Sequence, residues 1–94
     1  MNVRVQYMAQ LRDAVGRAAE ELEIPEGTSL GQLLAHLATR HGSGATPHLI
    51  TPDGEPQQSL LAVLNNTAVS PATAAATFLR PGDVVTLLPP IAGG

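Results

Sequence analysis

One stretch of this chain has the pattern of a long helix, and its beginning is marked twice. Ser29 and Gln32 have the S-x-x-Q spacing of a capping box, in which each side chain satisfies an orphan amide of the first turn. Leu30, Leu33, Leu34 and Leu37 then recur at i, i+3, i+4 and i+7 and form a single apolar stripe. Gly42 lies just past the last turn, where a left-handed cap is expected. A lone amphipathic helix must bury its stripe against another layer, and the remaining apolar segments are short and strand-like.

The first of these runs from Asn2 to Gln10. Val3, Val5 and Tyr7 point one way, Arg4 and Gln6 the other, as in a half-buried strand. Ala9 to Val15 adds a short helical turn closed by Gly16. Glu20 to Ile24 reads as a second strand, with Leu22 and Ile24 inward and Glu21 and Glu23 outward. The connection between the two is short, so an antiparallel hairpin is expected, and Pro25-Glu26-Gly27 ends it as a turn. Leu60–Leu64 and Thr67-Ala68-Val69 flank Asn65-Asn66, a hairpin signal. Ser70 to Phe78 is rich in Ala and Thr and has room for one loose turn. Arg80-Pro81-Gly82-Asp83 is a strong turn. Val84 to Leu88 is apolar at nearly every position, as a central strand covered on both faces would be.

Between helix and hairpin, Ser43 to Ser59 holds three prolines and two glycines. It reads as a long surface loop with a short strand at His48 to Thr51 and a turn at Pro52-Asp53-Gly54. The expected fold is α+β: a mixed four- to five-stranded sheet packed on one main helix, with the first and last strands central and parallel. The final residues then leave from the middle of the sheet.

At 94 residues and 44% apolar composition the chain forms one ordered domain with a modest core. Tyr7 and Phe78 are the two aromatics, so that core is mainly aliphatic. No apolar run approaches the roughly 20 residues of a membrane span, and Met1-Asn2-Val3-Arg4-Val5 has no signal-peptide character. A soluble, cytoplasmic protein is expected. The five basic residues, Arg4, Arg12, Arg17, Arg40 and Arg80, are scattered against a net charge of −3, which excludes a basic nucleic-acid stripe. Glu20, Glu21, Glu23 and Glu26 cluster as a solvated strand edge or as a docking patch for a basic surface.

Within the domain no catalytic arrangement emerges. His36, His41 and His48 lack metal-ligand spacing. The glycines form neither G-x-G-x-x-G nor a P-loop, and Ser29, Ser59 and Ser70 have no base pattern beside them. There is no cysteine and no lysine, so neither a thiolate nor an ε-amine is available. No metal and no bound cofactor are expected, and the domain alone is expected to be non-catalytic.

What remains is Pro89-Pro90-Ile91-Ala92-Gly93-Gly94, where the sequence ends. Pro89 and Pro90 fix φ at successive positions and stiffen an extended exit. Ile91 suits an apolar pocket, and Ala92, Gly93 and Gly94 suit a tunnel too narrow for larger side chains. Six extended residues reach roughly 20 Å. A flexible tail over residues 89–94 is expected to enter a partner's active site, with the Gly94 carboxylate as the reacting group. Ionised at neutral pH, that carboxylate must first be activated, most economically as an acyl-adenylate from ATP. A sulfur donor then leaves a thiocarboxylate, or an amine leaves an amide.

These segments together resemble the MoaD/ThiS family of ubiquitin-like sulfur carriers, most closely its molybdopterin synthase small-subunit branch. The likeness runs through residues 5–16, a strand and short helix ending in glycine, and through Leu61 to Val69, the strand-Asn-turn hairpin. It is most specific from Arg80 to Gly94, where a Gly-Asp turn, a last strand, Pro-Pro and Gly-Gly follow in the family's order. The resemblance implies a single β-grasp domain over residues 1–94. It implies activation by a ubiquitin-activating-enzyme-like adenylyltransferase using ATP and Mg²⁺, and a sulfurtransferase as sulfur donor. It implies insertion of the tail into the large subunit of molybdopterin synthase, in a heterotetramer of two small and two large subunits that makes molybdopterin for the molybdenum cofactor. Thiamin, cysteine or another metabolite as the sulfur's destination, and a role as protein modifier or interaction module, stay open. The long 43–59 segment and the Ala before the glycines both bear on that choice.

Overall fold

A computed structural model describes residues 1–89. Its elements are β1 (Asn2–Tyr7), α1 (Ala9–Val15), β2 (Ala19–Glu23), α2 (Leu30–His41), α3 (Thr46–Leu49), β3 (Leu61–Leu64), β4 (Thr67–Val69), a 3-10 segment (Pro71–Ala76) and β5 (Val84–Leu88). The five strands form one mixed sheet in the order β2-β1-β5-β3-β4. β1 and β5 are parallel at its centre, and β2, β3 and β4 add antiparallel. This is the β-grasp fold, and the central parallel pair of first and last strands is as expected.

α2 lies across one face of the sheet. Its start carries both halves of the capping box: Ser29 Oγ accepts from the Gln32 amide at 3.1 Å, and Gln32 Oε1 accepts from the Ser29 amide at 2.9 Å. Leu30, Leu33, Leu34 and Leu37 are buried against Val3, Val5, Tyr7, Val85 and Leu87. Each such leucine, fully buried, contributes about 1.5–3 kcal/mol of transfer free energy. The 3-10 segment packs on the first turn of α2 at Gly31, where an added Cβ would stand 3.4 Å from the Ala75 backbone, in van der Waals contact.

Several local expectations are corrected. Gly42 ends α2 with φ 76° but ψ −164°, so it is extended at ψ rather than left-handed. Of the expected strand at His48–Thr51 only Ile50 pairs, in an isolated antiparallel bridge to Pro56, and His48 and Leu49 belong instead to the single turn α3. Thr46 Oγ1 donates to the Ala38 and Gly42 carbonyls and draws the turn onto the end of α2, burying Ala45 and Leu49. The rest of the 43–59 segment is tied down by Gln57, whose side-chain amide donates to the Pro47 and Ile50 carbonyls. β5 is not covered on both faces: Val85 and Leu87 are buried, whereas Val84, Thr86 and Leu88 are half-buried. Phe78 is 63% exposed and takes no part in the core.

Among the described residues, no helix is long and apolar enough to cross a membrane.

Candidate functional site

β5 delivers the end of the chain, and two turns set its register. Arg80–Asp83 closes with the Asp83 amide donating to the Arg80 carbonyl, and Gly82 supplies the required φ of 84°. The Asp83 carboxylate accepts from the Arg80 amide at 2.8 Å and from Asn65 Nδ2 at 3.2 Å. Asn65, left-handed at φ 57° in the β3–β4 hairpin, accepts in turn from the Val84 amide at 3.0 Å. The first residue of β5 is thus held from both neighbouring turns. Downstream, Tyr7 opposes Leu87 and Leu61 opposes Leu88, and the Met8 amide donates to the Leu87 carbonyl at 3.1 Å. Pro89 is buried directly after the strand.

The end of β5 therefore lies between Met8 on the β1 side and Leu61 on the β3 side. These are 45% and 46% exposed and belong with Phe78 to the most exposed large apolar side chains. Strand alternation puts Leu61, Val63, Val84, Thr86, Leu88, Arg4 and Gln6 on the sheet face turned away from α2. None of them is buried. Across the middle of that face Thr86 Oγ1 donates to Gln6 Oε1 at 3.1 Å, and Arg4 pairs with Glu21 at 3.8 Å towards the β2 edge. The open face is apolar on the β5–β3 side, with a polar margin on the β1–β2 side.

Of the residues expected in a flexible tail over 89–94, Pro89 directly follows β5 and is buried in the domain. Pro90, Ile91, Ala92, Gly93 and Gly94 lie outside the described residues. Among the described residues no group of three or more His, Cys, Asp or Glu could hold a metal ion.

One polar cluster went unforeseen. Glu20 faces inward and is 6% exposed, not part of a solvated edge. Tyr7 OH donates to its Oε2 at 2.6 Å, His41 Nε2 lies 2.6 Å from the same oxygen, and Arg40 Nε donates to Oε1 at 3.0 Å. Arg17 adds a charge at 3.6 Å. Burial alone pushes the Glu20 carboxyl up, but hydrogen bonds from Tyr7, His41 and Arg40 outweigh it and hold it below the ordinary glutamate range. Burial and the Glu20 contact push the Tyr7 hydroxyl well above the ordinary tyrosine range. Those contacts join β1, β2 and the C-terminal turn of α2, and they leave the cluster occupied with itself. The signal was present in the alternation, since Glu20 shares its side with Leu22.

Comparison with known proteins places this geometry. The ThiS family model matches residues 5–94. The chain belongs to the ThiS family. Small archaeal modifier protein 3 of Haloferax volcanii is 29% identical over 94 residues, covering the whole of both chains. The solution structure of the Haloferax volcanii HVO 2177 protein has a TM-score of 0.85 and 29% identity, with 100% of this chain and 87% of that one covered. The putative molybdopterin converting factor, subunit 1, of Pyrococcus furiosus has a TM-score of 0.76 and 27% identity, covering 97% of this chain and 99% of that one. Ubiquitin-like carriers and modifiers thus share this fold, and the last of these names makes its bearer one subunit of a larger factor.

Proposed function

We propose that this protein is a sulfur carrier whose Gly94 carboxylate is adenylated by a partner enzyme and converted to a thiocarboxylate. The supporting observation is the placement of β5. The central strand, clamped by Asn65 and Asp83, ends at Leu88 beside an open apolar face, six residues before Gly94 in the sequence. In this reading a ubiquitin-activating-enzyme-like adenylyltransferase docks on Leu61, Val63, Val84 and Leu88 and takes the tail beyond the buried Pro89, Pro90 through Gly94, into its ATP site. That partner supplies ATP and Mg²⁺. Carboxylate attack on the α-phosphorus forms the acyl-adenylate and releases pyrophosphate. A sulfurtransferase then provides sulfur, and AMP leaves. The domain holds and presents; the partner catalyses.

For the sulfur's destination we propose molybdopterin, with the protein as small subunit of a synthase. The run from Arg80 to Gly94 and the likeness to the Pyrococcus furiosus subunit support this. The likeness to small archaeal modifier protein 3 favours a second reading, in which an amine of another protein takes the activated glycine. Intact-mass measurement after incubation with ATP, the adenylyltransferase and a sulfur donor tests the carrier role. The mass of a sulfur should replace that of an oxygen, and a chain lacking Gly94 should stay unchanged. An unchanged full-length mass contradicts the proposal. Rescue of molybdenum-enzyme activity in cells lacking their own small subunit separates the destinations; glycine-linked adducts on other proteins without rescue favour the second.

A further inference from the structure

The carrier reading draws on the end of the sheet where β5 finishes, and it leaves the opposite end without a role. There the connection from β2 to α2 borders an open groove of about 440 Å³, lined by Glu23, Ile24, Pro25, Glu26, Gln32 and His36. Most of that lining is apolar. Phe78 stands beside it. Residues 77–79 run antiparallel to 28–30: the Leu79 amide donates to the Thr28 carbonyl at 2.9 Å, the Leu30 amide donates to the Thr77 carbonyl at 2.8 Å, and Phe78 pairs with Ser29. Thr28 also borders the groove, so the exposed Phe78 lies next to its edge. Groove and aromatic together offer one apolar surface for a partner to cover.

Charge selects what covers it. Glu20 is ringed by Tyr7, Arg40 and His41, and Glu21 pairs with Arg4. Glu23 and Glu26 are exposed, and among the described residues neither has an ion-pair partner. All five arginines are among the described residues, and none of them lines the groove. The Met1 ammonium donates to the Ile24 carbonyl at 2.7 Å and pairs with neither carboxylate. Two uncompensated carboxylates beside apolar surface attract a cation carried on an apolar stem, as in arginine and lysine. An arginine also stacks on an aromatic ring such as that of Phe78.

We infer that the groove between β2 and α2 is a second docking site, for an extended segment of a partner protein that carries arginine or lysine next to an apolar residue. The cation lies between Glu23 and Glu26, and its apolar neighbour covers Phe78. β1 runs from Asn2, opposite Glu23, to Tyr7, opposite Leu87, which separates the groove from the end of β5 by roughly 17 Å along the sheet. A protein held in the groove leaves the end of β5 uncovered for an activating enzyme. The site stands on its own geometry; only its use alongside activation rests on the carrier reading.

The test titrates the isotopically labelled full-length protein with a short capped peptide of alternating arginine and leucine and follows the amide NMR shifts. The shifts should be confined to residues 23–28, 32, 36 and 78, and binding should weaken with added salt. A control peptide with glutamate in place of arginine should shift none of them. Glu23→Gln combined with Glu26→Gln should weaken binding about fivefold or more, as loss of two exposed charge pairs does, and Phe78→Ala should weaken it about threefold. The unfolding midpoints should stay unchanged, because all three side chains are exposed. Equal binding by the wild type and the double glutamine variant overturns the inference. So do shifts spread over Asp53, Glu55 and the rest of the acidic surface, which would mark a solvated acidic surface only. Saturating peptide should leave adenylation of Gly94 at its peptide-free rate, and a loss would overturn the separateness of the two sites. Absence of adenylation with and without peptide would instead fail the carrier reading and leave the titration result standing.

Discussion

The face of the sheet against α2 and the face turned away from it differ in how completely they are closed. On the first, Val3, Val5, Tyr7, Val85 and Leu87 are buried, and even a carboxylate is taken in with a full set of partners. On the second, Leu61 and Val63 of β3 and Val84 and Leu88 of β5 are no less apolar, yet none is buried. Alternation along β3 and β5 supplies both faces from consecutive residues. The closed face accounts for stability, and the open one, beside the end of β5, is the face proposed to meet the activating enzyme. Substitutions on the closed face should therefore change stability first, and substitutions on the open face should change recognition first.

The largest stability effect is expected at Leu33. Leu33→Ala should cost about 2–5 kcal/mol, because the residue is fully buried in the α2 stripe and its removal leaves a cavity. Denaturant unfolding checks this, and a near-neutral result would break the assignment of the closed face. Glu20→Gln should cost about 1–3 kcal/mol at neutral pH through loss of charge-assisted bonds to Tyr7, Arg40 and His41. Its pH dependence has a definite sign. The folded carboxyl is held below its unfolded value, so its contribution is present above about pH 4.3, the ordinary glutamate value, and is lost as pH falls through the lower folded value. The stability difference between wild type and Glu20→Gln should shrink on acidification. A difference that grows towards acid pH would contradict the cluster as described.

Asn65→Ala should cost about 1 kcal/mol, combining loss of its hydrogen bond from the Val84 amide with a left-handed backbone that alanine resists. It should also weaken the start of β5 in hydrogen exchange. At the bottom of the scale, Leu61→Ser should change stability by less than about 0.5 kcal/mol, as an exposed position away from the core does.

Much of this contrast was legible beforehand. The capping box, the leucine stripe, the Asn65 hairpin and the Arg80–Asp83 turn are local patterns, and each lies where its spacing put it. The central parallel pairing of β1 and β5 followed from their apolar character and their places in the chain. The missed features depend on distant contacts. Glu20 turned inward because Tyr7, Arg40 and His41 converge on it from other elements, and a run of glutamates does not announce such partners. The turn at Thr46–Leu49 forms because Thr46 bonds back to the end of α2, where the prolines around it had pointed to a loop. β5 read as covered on both faces because an apolar strand looks the same whether a helix or a partner protein covers its outer side.

That ambiguity is the central claim, and one measurement tests it directly. Adenylate formation on Leu61→Ser by the cognate activating enzyme should be compared with wild type, with the unfolding midpoint of each recorded on the same samples. The account predicts a clear loss in the efficiency of activation with the midpoint unchanged. Wild-type activation, or a loss that tracks a fall in stability, would contradict it.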